Sequence, residues 1–548
     1  MLHWARAAYG AGCGAARAAG HVHGVCAARS IHTARIFPAN RYAVVAAAAA
    51  AAAAGLSVAG VAKTALADAP AEAELPASQH TLPFGEVFAW GSNKTKVVAP
   101  GSSAANVTVP TAIPELTGTF RDMQLGATHG AAVDARGDIL QWGDGHSQST
   151  GVPQRTLTGH DIERVQLTAD KVYALARNGT IYVIPASAAA QKRTSSILGT
   201  SVQATALVCS GASERFVDIA AGEHHLIALS RGGRVWSVPV DAQANDFGQL
   251  GVSAVTLDTP QGKLETQMLP KIARGEPVPS ATSTTLRPVP ALRDVVIAQI
   301  AAGSEHSLAR TPDGRVVAWG RNNVGQLGLG PSILSETVAV PTEVLWPQSL
   351  VGRTARCENI AAGGTNSLFV VHGNGAPRSS DDDDEDTPRL PLPPSRVDVL
   401  ASGSGTRGTL GNGQRPQVAG TPVRVKNVSG LYEFSEQVRG LVPIGIHHLA
   451  VGNGQCAVVL AEPVADNESR RDIYVWGAND AYQLGTGRKG NVAVPVLLTL
   501  GGDAREKSDS PVMNRLLLVE HRGSTLFSGS VAQTITVGCG GIAIYTRP

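Results

Sequence analysis

The sequence carries little charge and lacks the cysteine patterns of metal sites and disulfide scaffolds. Only 16% of its 548 residues are Asp, Glu, Lys or Arg. Its six cysteines lie far apart, with no Cys-x-x-Cys pair and no histidine at ligand spacing: Cys13, Cys26, Cys209, Cys357, Cys456 and Cys539. Neither a zinc site nor a disulfide framework is indicated. We therefore expect reduced, mostly buried thiols.

Sequence signatures of common enzymes are also missing. The chain has no Gly-x-x-x-x-Gly-Lys-Ser/Thr loop, no Gly-x-Ser-x-Gly elbow and no His-Glu-x-x-His pair. The residues that nucleotide hydrolases, esterases and zinc proteases need for catalysis are therefore not present in their usual motifs. We predict a non-enzymatic protein with no catalytic residue, no cofactor site and no metal site.

Acidic residues are absent from positions 1–67, which carry five Arg and one Lys. The remainder of the chain therefore holds 40 basic and 44 acidic side chains. Because nucleic-acid binding depends on neutralising phosphates, this lack of basic excess argues against a DNA partner.

The first 40 residues are rich in Arg and Ala and free of acids. This composition is typical of a mitochondrial transit peptide, whereas a secretory signal would show one compact apolar core. We predict transit-peptide cleavage and mitochondrial import, with the cleavage site left open.

Residues 43–62 form a run of twenty uncharged residues dominated by alanine. At 1.5 Å per residue, such a helix spans a hydrocarbon core of about 30 Å. We predict one inner-membrane span here, followed by a linker over 63–83. Poly-alanine is weakly lipophilic, so a plain linker is the alternative. The flanking charges favour the bulk of the chain on the intermembrane side, and the matrix side stays open.

Glycine and proline are abundant, at 61 and 32 residues, which suits many short strands joined by tight turns. Two elements recur seven times each and interleave along the chain. The first is an apolar strand ending in Trp-Gly or a divergent form of it. Its copies are Val87 to Gly91, Ile139 to Gly143, Ile181 to Pro185, Val235 to Pro239, Val316 to Gly320, Val399 to Gly403 and Tyr474 to Gly477.

The second recurring element is a turn of small residues that runs into another strand. Its copies start at Leu125, Leu167, Ile219, Ile300, Ile360, Leu449 and Val537. Small side chains suit a crowded axis, and Trp suits the space between sheets. Strands that bury both faces indicate sheets arranged radially, with the last sheet completed by strands from both chain ends.

"GRVVAWGRNNVGQLGLG" and "IAAGSEHSLARTPDGRVVAWG" resemble the repeats of the regulator of chromosome condensation family. The resemblance implies an all-β protein, a seven-bladed β-propeller over residues 84–548. Three segments break the repeat and are predicted surface loops: 187–213, 252–290 and 373–395. The last contains the acidic run Asp381 to Asp386, for which like-charge repulsion predicts disorder.

Histidines are the candidate acid-base residues. They are His129, His224, His225, His306, His447 and His448, with Glu223 and Glu305 beside them. We place His129, His224 and His306 at one repeat position, where other copies carry Asn366, Gln455 or Gly541. Because Asn and Gln replace them, we interpret these histidines as hydrogen-bond partners of buried backbone rather than catalysts.

With its leader and apolar segment, the chain resembles mitochondrial members of that family, especially fungal inner-membrane proteins required for assembling respiratory complex III. The resemblance implies a scaffold or assembly factor that binds respiratory-chain subunits or assembly factors. Guanine-nucleotide exchange on a mitochondrial GTPase is one alternative, with 252–290 as the contacting insertion. Association with the mitoribosome is a further alternative.

Overall fold

The computed structural model describes residues 81–148, 152–196, 199–210, 213–252, 254–258, 264–268, 284–331, 333, 335–347, 354–374, 395–436, 438–461, 468–499, 516–521 and 530–548. The predicted transit peptide (1–40), the predicted span (43–62) and the linker up to residue 80 lie outside the described residues. Within those ranges, no helix is long and apolar enough to cross a bilayer.

Regular structure in these ranges consists of 36 strands and a 3-10 helix, Pro290–Leu292. The first twelve strands are β1 (Glu86–Ser92), β2 (Asn106–Thr117), β3 (Phe120–Leu125), β4 (Gly130–Asp134), β5 (Ile139–Trp142), β6 (Gln154–Leu157), β7 (Ile162–Leu167), β8 (Lys171–Ala176), β9 (Ile181–Pro185), β10 (Arg193–Ser196), β11 (Gly199–Val202) and β12 (Thr205–Ala206).

The next twelve strands are β13 (Val208–Cys209), β14 (Phe216–Ala221), β15 (His225–Ser230), β16 (Val235–Pro239), β17 (Ala254–Asp258), β18 (Leu264–Met268), β19 (Thr285–Pro288), β20 (Gln299–Ala302), β21 (His306–Arg310), β22 (Val316–Arg321), β23 (Thr337–Glu343) and β24 (Arg356–Gly363). The last twelve are β25 (Asn366–Asn374), β26 (Ser395–Gly403), β27 (Ala419–Arg424), β28 (Tyr432–Ser435), β29 (Gly440–Pro443), β30 (Ile446–Val451), β31 (Gln455–Leu460), β32 (Glu468–Gly477), β33 (Val492–Leu497), β34 (Leu517–His521), β35 (Val531–Val537) and β36 (Gly541–Arg547).

The described strands include seven four-stranded antiparallel units. In chain order they are β3-β4-β5-β6, β7-β8-β9-β12, β14-β15-β16-β19, β20-β21-β22-β23, β24-β25-β26-β27, β30-β31-β32-β33 and β35-β36-β1-β2. The first strand of each unit contacts the first strand of the next, in the order β3, β7, β14, β20, β24, β30, β35 and back to β3. The units therefore form a closed ring.

Unit seven combines the two ends of the described chain. Phe88 on β1 pairs with Ile544 on β36, and Trp90 pairs with Ile542. This confirms the prediction that the last sheet takes strands from both ends. Because the hydrogen bonds of this seam join residues more than 400 positions apart in sequence, the ring closes only when both ends are in place.

Apolar cores lie between neighbouring units, as expected for strands that bury both faces. β15 and β31 are buried at every position. The largest fully buried side chains include four tryptophans at equivalent places in their units: Trp90, Trp142, Trp319 and Trp476. The prediction that Trp fills the space between sheets is confirmed.

Two of the three predicted surface loops contribute strands, which the loop interpretation missed. Within 187–213, β12 is the outer strand of unit two, and β13 pairs in parallel with β19 of unit three. Within 252–290, β17 pairs with β18, and β19 itself is the outer strand of unit three. These outer strands are only two and four residues long, which is too short to show apolar alternation in the sequence.

Units six and seven are joined by a further strand. The first part of β32 pairs with β34, which also pairs with β35. Thr81 bridges to Leu517 at the start of β34. Gln533 on β35 donates from Nε2 to the Leu82 carbonyl at 2.7 Å. The chain therefore enters the ring beside the start of β35.

Candidate functional site

The axis of the ring is where the small-residue turns converge. A Cβ placed on Gly538 would lie 2.1 Å from the Leu125 carbonyl oxygen of unit one, and one on Gly452 would lie 2.2 Å from the Gly538 carbonyl oxygen. Real Cβ atoms do not approach backbone this closely, so glycine is required here. The prediction of small residues at a crowded axis is confirmed.

A cavity of about 770 Å³ follows the axis and is lined by the first strands of all seven units. Its polar side chains cap the open inner edges of those strands. Asp122 accepts from the Val165 backbone N–H of the next unit at 2.9 Å. Gln299 likewise accepts from the Ile360 N–H at 3.2 Å. An unpaired strand edge is costly to leave unsatisfied, so these side chains hold the ring together.

Charged groups in the cavity are also tied to the scaffold. Arg164 donates to Asp218 at 2.7 Å, and Asp218 also accepts from the Ile219 N–H at 2.9 Å. Burial raises the pKa of the Asp122 and Asp218 carboxyls. The arrangement bonds each carboxylate within the scaffold, and it presents neither one as a free base.

The repeat-bound histidines are His129, His225 and His306. His225 pairs with Pro239 and His306 with Gly320, the register at which Asn366 pairs with Gly403 and Gln455 with Gly477. Our assignment of His224 to this position was wrong by one residue. Successive side chains on a strand point to opposite faces, so the shift exchanges a core position for the surface.

His225 and His306 are fully buried, and each bonds to a residue of the next unit. His225 Nε2 lies 2.9 Å from Ser307 Oγ, and His306 Nε2 lies 2.9 Å from Ser367 Oγ. The two serines donate onward to the carbonyls of Gln249 and Gln326, at 2.9 and 2.7 Å.

A serine hydroxyl has one proton, so each histidine must donate from Nε2. Burial lowers the pKa of His225 to about 3 and that of His306 to about 4. Both rings are therefore neutral structural donors, as the structural interpretation predicts. Their acceptor is a serine hydroxyl, not the backbone, while Gln455 Nε2 donates to the Gly538 carbonyl at 2.6 Å.

The serines were missed at the level of sequence, although a signal was present. Ser307 follows His306 and Ser367 follows Asn366, so the serine recurs one place after the repeat position.

His129 occupies the same position in unit one but has no partner. Its ring is 1% exposed, and neither nitrogen has a hydrogen-bond partner among the described residues. In unit two the place of Ser307 is taken by Val172, because Lys171 pairs with Pro185 as His306 does with Gly320. Burial lowers the pKa of His129 to about 4.

The remaining candidates lie apart from one another. His224 is partly buried, and its Nδ1 lies 2.7 Å from Asp241, a partner that the repeat pattern did not indicate. This hydrogen bond raises the pKa of His224. Glu305 pairs with Arg321 at 2.7 Å. The structure thus brings together one histidine and one carboxylate, at the surface of unit three.

His447 and His448 belong to β30 in unit six, and burial lowers the pKa of His448 to about 4. Glu223 is exposed beside His224. Across the described part of the chain, no group of three or more His, Cys, Asp or Glu could hold a metal ion. Cys357 and Cys456 are buried, as predicted, whereas Cys539 is exposed.

A closed ring of antiparallel units with a structural axis defines a β-propeller. Models of the regulator of chromosome condensation (RCC1) repeat match residues 297–326, 313–370 and 472–506. These segments of the chain are therefore RCC1 repeats, and the resemblance seen in the sequence is confirmed. The matched segments contain Trp319, which lies in both stretches that carried the resemblance, and Trp476 of the last Trp-Gly copy.

Relatives cover much of the chain. Protein FMP25, mitochondrial, of Saccharomyces cerevisiae is 26% identical over 465 residues, which are 78% of this chain and 67% of that protein. The RCC1 domain-containing protein RUG3, mitochondrial, of Arabidopsis thaliana is 25% identical over 309 residues, 53% of this chain and 60% of that one. The chain thus spans about two thirds or less of these relatives.

Solved structures confirm the fold. Human WBSCR16 superposes with a TM-score of 0.55 at 16% identity, covering 85% of this chain and 99% of that one. Yeast RCC1 (Prp20), solved bound to Kap60, gives a TM-score of 0.53 at 17% identity, covering 86% and 90%. The all-β prediction and the propeller type are confirmed.

Proposed function

We propose that this protein is a non-catalytic mitochondrial scaffold that holds protein partners on a seven-bladed propeller. The observation that carries the proposal is the use of the repeat histidines: His225 and His306 are buried, neutral and bonded to the next unit. The polar centre of the molecule is therefore committed to holding the ring, which leaves the outer faces for binding. The seven units of the described residues are proposed to be the full set of blades.

Mitochondrial location is supported by two independent features. Relatives from yeast and Arabidopsis carry mitochondrial names. The first 40 residues have the composition of a transit peptide. Residues 43–62 are proposed to anchor the propeller in the inner membrane, and the partners are proposed to be subunits or assembly factors of respiratory complex III.

The test is a deletion strain complemented with the full chain, compared by native electrophoresis of respiratory complexes and by affinity purification from detergent-solubilised mitochondria. Selective loss of complex III, restored by the full chain, supports the assembly role. Normal complex III with recovery of mitoribosomal proteins that depends on RNA would contradict it. Protease protection in swollen mitochondria determines on which side of the membrane the propeller lies.

Guanine-nucleotide exchange is a second candidate. A solved relative in fold, Prp20p of Saccharomyces cerevisiae, has characterised binding to Gsp1p and histones. In this chain, β17 and β18 pair within the segment that joins β16 to β19 inside unit three, so a strand pair is available for contact with a partner. Capture of a GTPase that GTP releases would favour exchange over assembly.

A further inference from the structure

One face of the ring carries the starts of the first strands of all units and the hairpins between second and third strands; we call it the lower face. At unit three this face has an arginine–valine patch, formed by Arg215, Val217, Arg231 and Val296. Val217 is 44% exposed and Val296 is 59% exposed. Exposed apolar groups bounded by charge are typical of interaction surfaces.

The four residues are contiguous. The Arg231 backbone N–H donates to the Arg215 carbonyl at 2.8 Å, which places the two arginines side by side. Val217 takes the place in unit three that Glu163 has in unit two, where Glu163 accepts from Arg177, the equivalent of Arg231. Val296 lies against the hairpin that carries Arg231, because a Cβ on Gly233 would be 2.7 Å from Val296 Cγ1.

Both arginines are exposed and make no ion pair in the part of the chain that the structure describes. Arg234 on the same hairpin differs, since it pairs with Glu214. The patch therefore presents two uncommitted guanidinium groups around two exposed valines.

The lower face is also where the N-terminal part of the chain joins the ring. Thr81 and Leu82 bond to Leu517 and Gln533, beside the start of β35. The start of β14, which carries the patch, lies on the same face, because the first strand of every unit starts there. In the sequence, residues 63–80 separate this point of entry from residues 43–62.

We propose that the arginine–valine patch binds the surface of the membrane that anchors the chain, with the arginines at anionic headgroups and the valines at the acyl boundary. The inference rests on the span proposed above for residues 43–62. Basic side chains near an anionic surface contribute about 1 kcal/mol each, and apolar burial adds to this. A tether raises the local concentration of such a patch at the membrane, and millimolar lipid takes its place when the tether is absent.

The acidic run of residues 381–386 lies outside the described residues. The described residues that flank it, Asn374 and Ser395, pair with each other in unit five, two units around the ring from Arg215. Anionic headgroups at unit three therefore do not meet this run at its attachment points.

The test uses residues Glu74–Pro548, which form one compact unit whose ring closes through β1 and β36. Without residues 43–62, flotation with vesicles reports the patch alone. Phosphatidylcholine vesicles are compared with vesicles in which roughly one-fifth of the lipid is cardiolipin. We expect flotation with the anionic vesicles and about 30-fold weaker binding for R215Q/R231Q.

The matched control is R136Q/R315Q, which removes arginines from the lower hairpins of units one and four and is expected to float like the unsubstituted protein. High salt screens the attraction between the arginines and the headgroups, so the valine contacts account for the remaining binding. Under these conditions V217S/V296S is expected to bind more weakly than the unsubstituted protein. Thermal melts confirm that each variant is folded. Absence of flotation, or flotation unchanged in R215Q/R231Q, would overturn the proposal.

Loss of a co-purifying protein in R215Q/R231Q, with flotation intact, would also overturn it by assigning the patch to a protein interface. The flotation experiment tests the patch alone, and the complex III profile of the deletion strain tests the assembly role. A negative result in one experiment therefore does not decide the other.

Discussion

His306 Nε2 lies 2.9 Å from Ser367 Oγ and joins units four and five through a fully buried hydrogen bond. The Ser367 hydroxyl in turn donates a hydrogen bond to the Gln326 backbone carbonyl at 2.7 Å. Gln326 lies in the Gly-Gln-Leu-Gly turn that recurs along the chain. The turn and the histidine, which was a candidate acid-base residue, therefore serve the same contact between neighbouring units.

The buried tryptophans allow the contribution of one such buried hydrogen bond to stability to be measured. Trp476 Nε1 donates to the Thr409 carbonyl at 2.7 Å, whereas Trp90 Nε1 has no partner among the described residues. We expect W476F to lower the free energy of unfolding by about 1 kcal/mol more than W90F, because only W476F removes a hydrogen bond to a buried carbonyl. Urea denaturation of both variants checks this. An equal loss in the two variants would contradict it.

Glycine at the axis is expected to be irreplaceable. G538A places a Cβ 2.1 Å from the Leu125 carbonyl, so the first strand of unit one must move. We expect a loss of at least about 2 kcal/mol, in line with overpacking of a close-packed site. Gly440 in β29 is the control, since a Cβ there has its nearest neighbour at 3.8 Å. A G440A variant as unstable as G538A in thermal melts would refute the crowding argument.

Val172 explains why His129 has no partner, and V172T supplies a hydroxyl at the place of Ser307. We expect the free energy of unfolding of V172T to stay close to that of the unsubstituted protein, because the new hydroxyl meets His129. V165T buries a hydroxyl on the same core and is expected to cost about 1–3 kcal/mol. Chemical denaturation compares the pair, and the idea is wrong if V172T costs as much as V165T.

Acid is expected to destabilise the ring through its buried histidines. Burial lowers the pKa of His129 and His306 to about 4 and that of His225 to about 3. In the unfolded chain these groups titrate near 6.5, so the unfolded state binds more protons below that pH and stability falls from about pH 6.5 toward pH 4. At pH 5 each histidine costs about 2 kcal/mol relative to pH 8.

The pH dependence is measured by denaturation across that range. H306N, which copies the residue that unit five carries at this position, Asn366, is expected to reduce the dependence by about 2 kcal/mol at pH 5. A variant with the full dependence would show that His306 is not among the groups responsible.

Much of the fold was predictable because each repeat is recognisable from patterns within a few consecutive residues. Apolar strands such as Val316 to Gly320 reveal burial on both faces, and small-residue turns reveal a crowded axis. Outer strands such as β12 and β19 were not predictable, because they are only two and four residues long and show no apolar alternation. The confusion of His224 with His225 arose because a strand changes face at every residue, so one step of misalignment reverses the prediction.

The sequence by itself determined the number of recurring strand copies, the closure by both chain ends and the structural character of the repeat histidines, because each follows from local pattern and from substitution between copies. Only the tertiary structure decided which side chains meet across units. Ser367 lies 61 residues from His306. Arg215 bonds to Arg231, and the hairpin that carries Arg231 also lies against Val296, so this surface is built from three separate segments. Contacts between distant segments depend on how the sheets pack around the axis, and no local pattern records that packing.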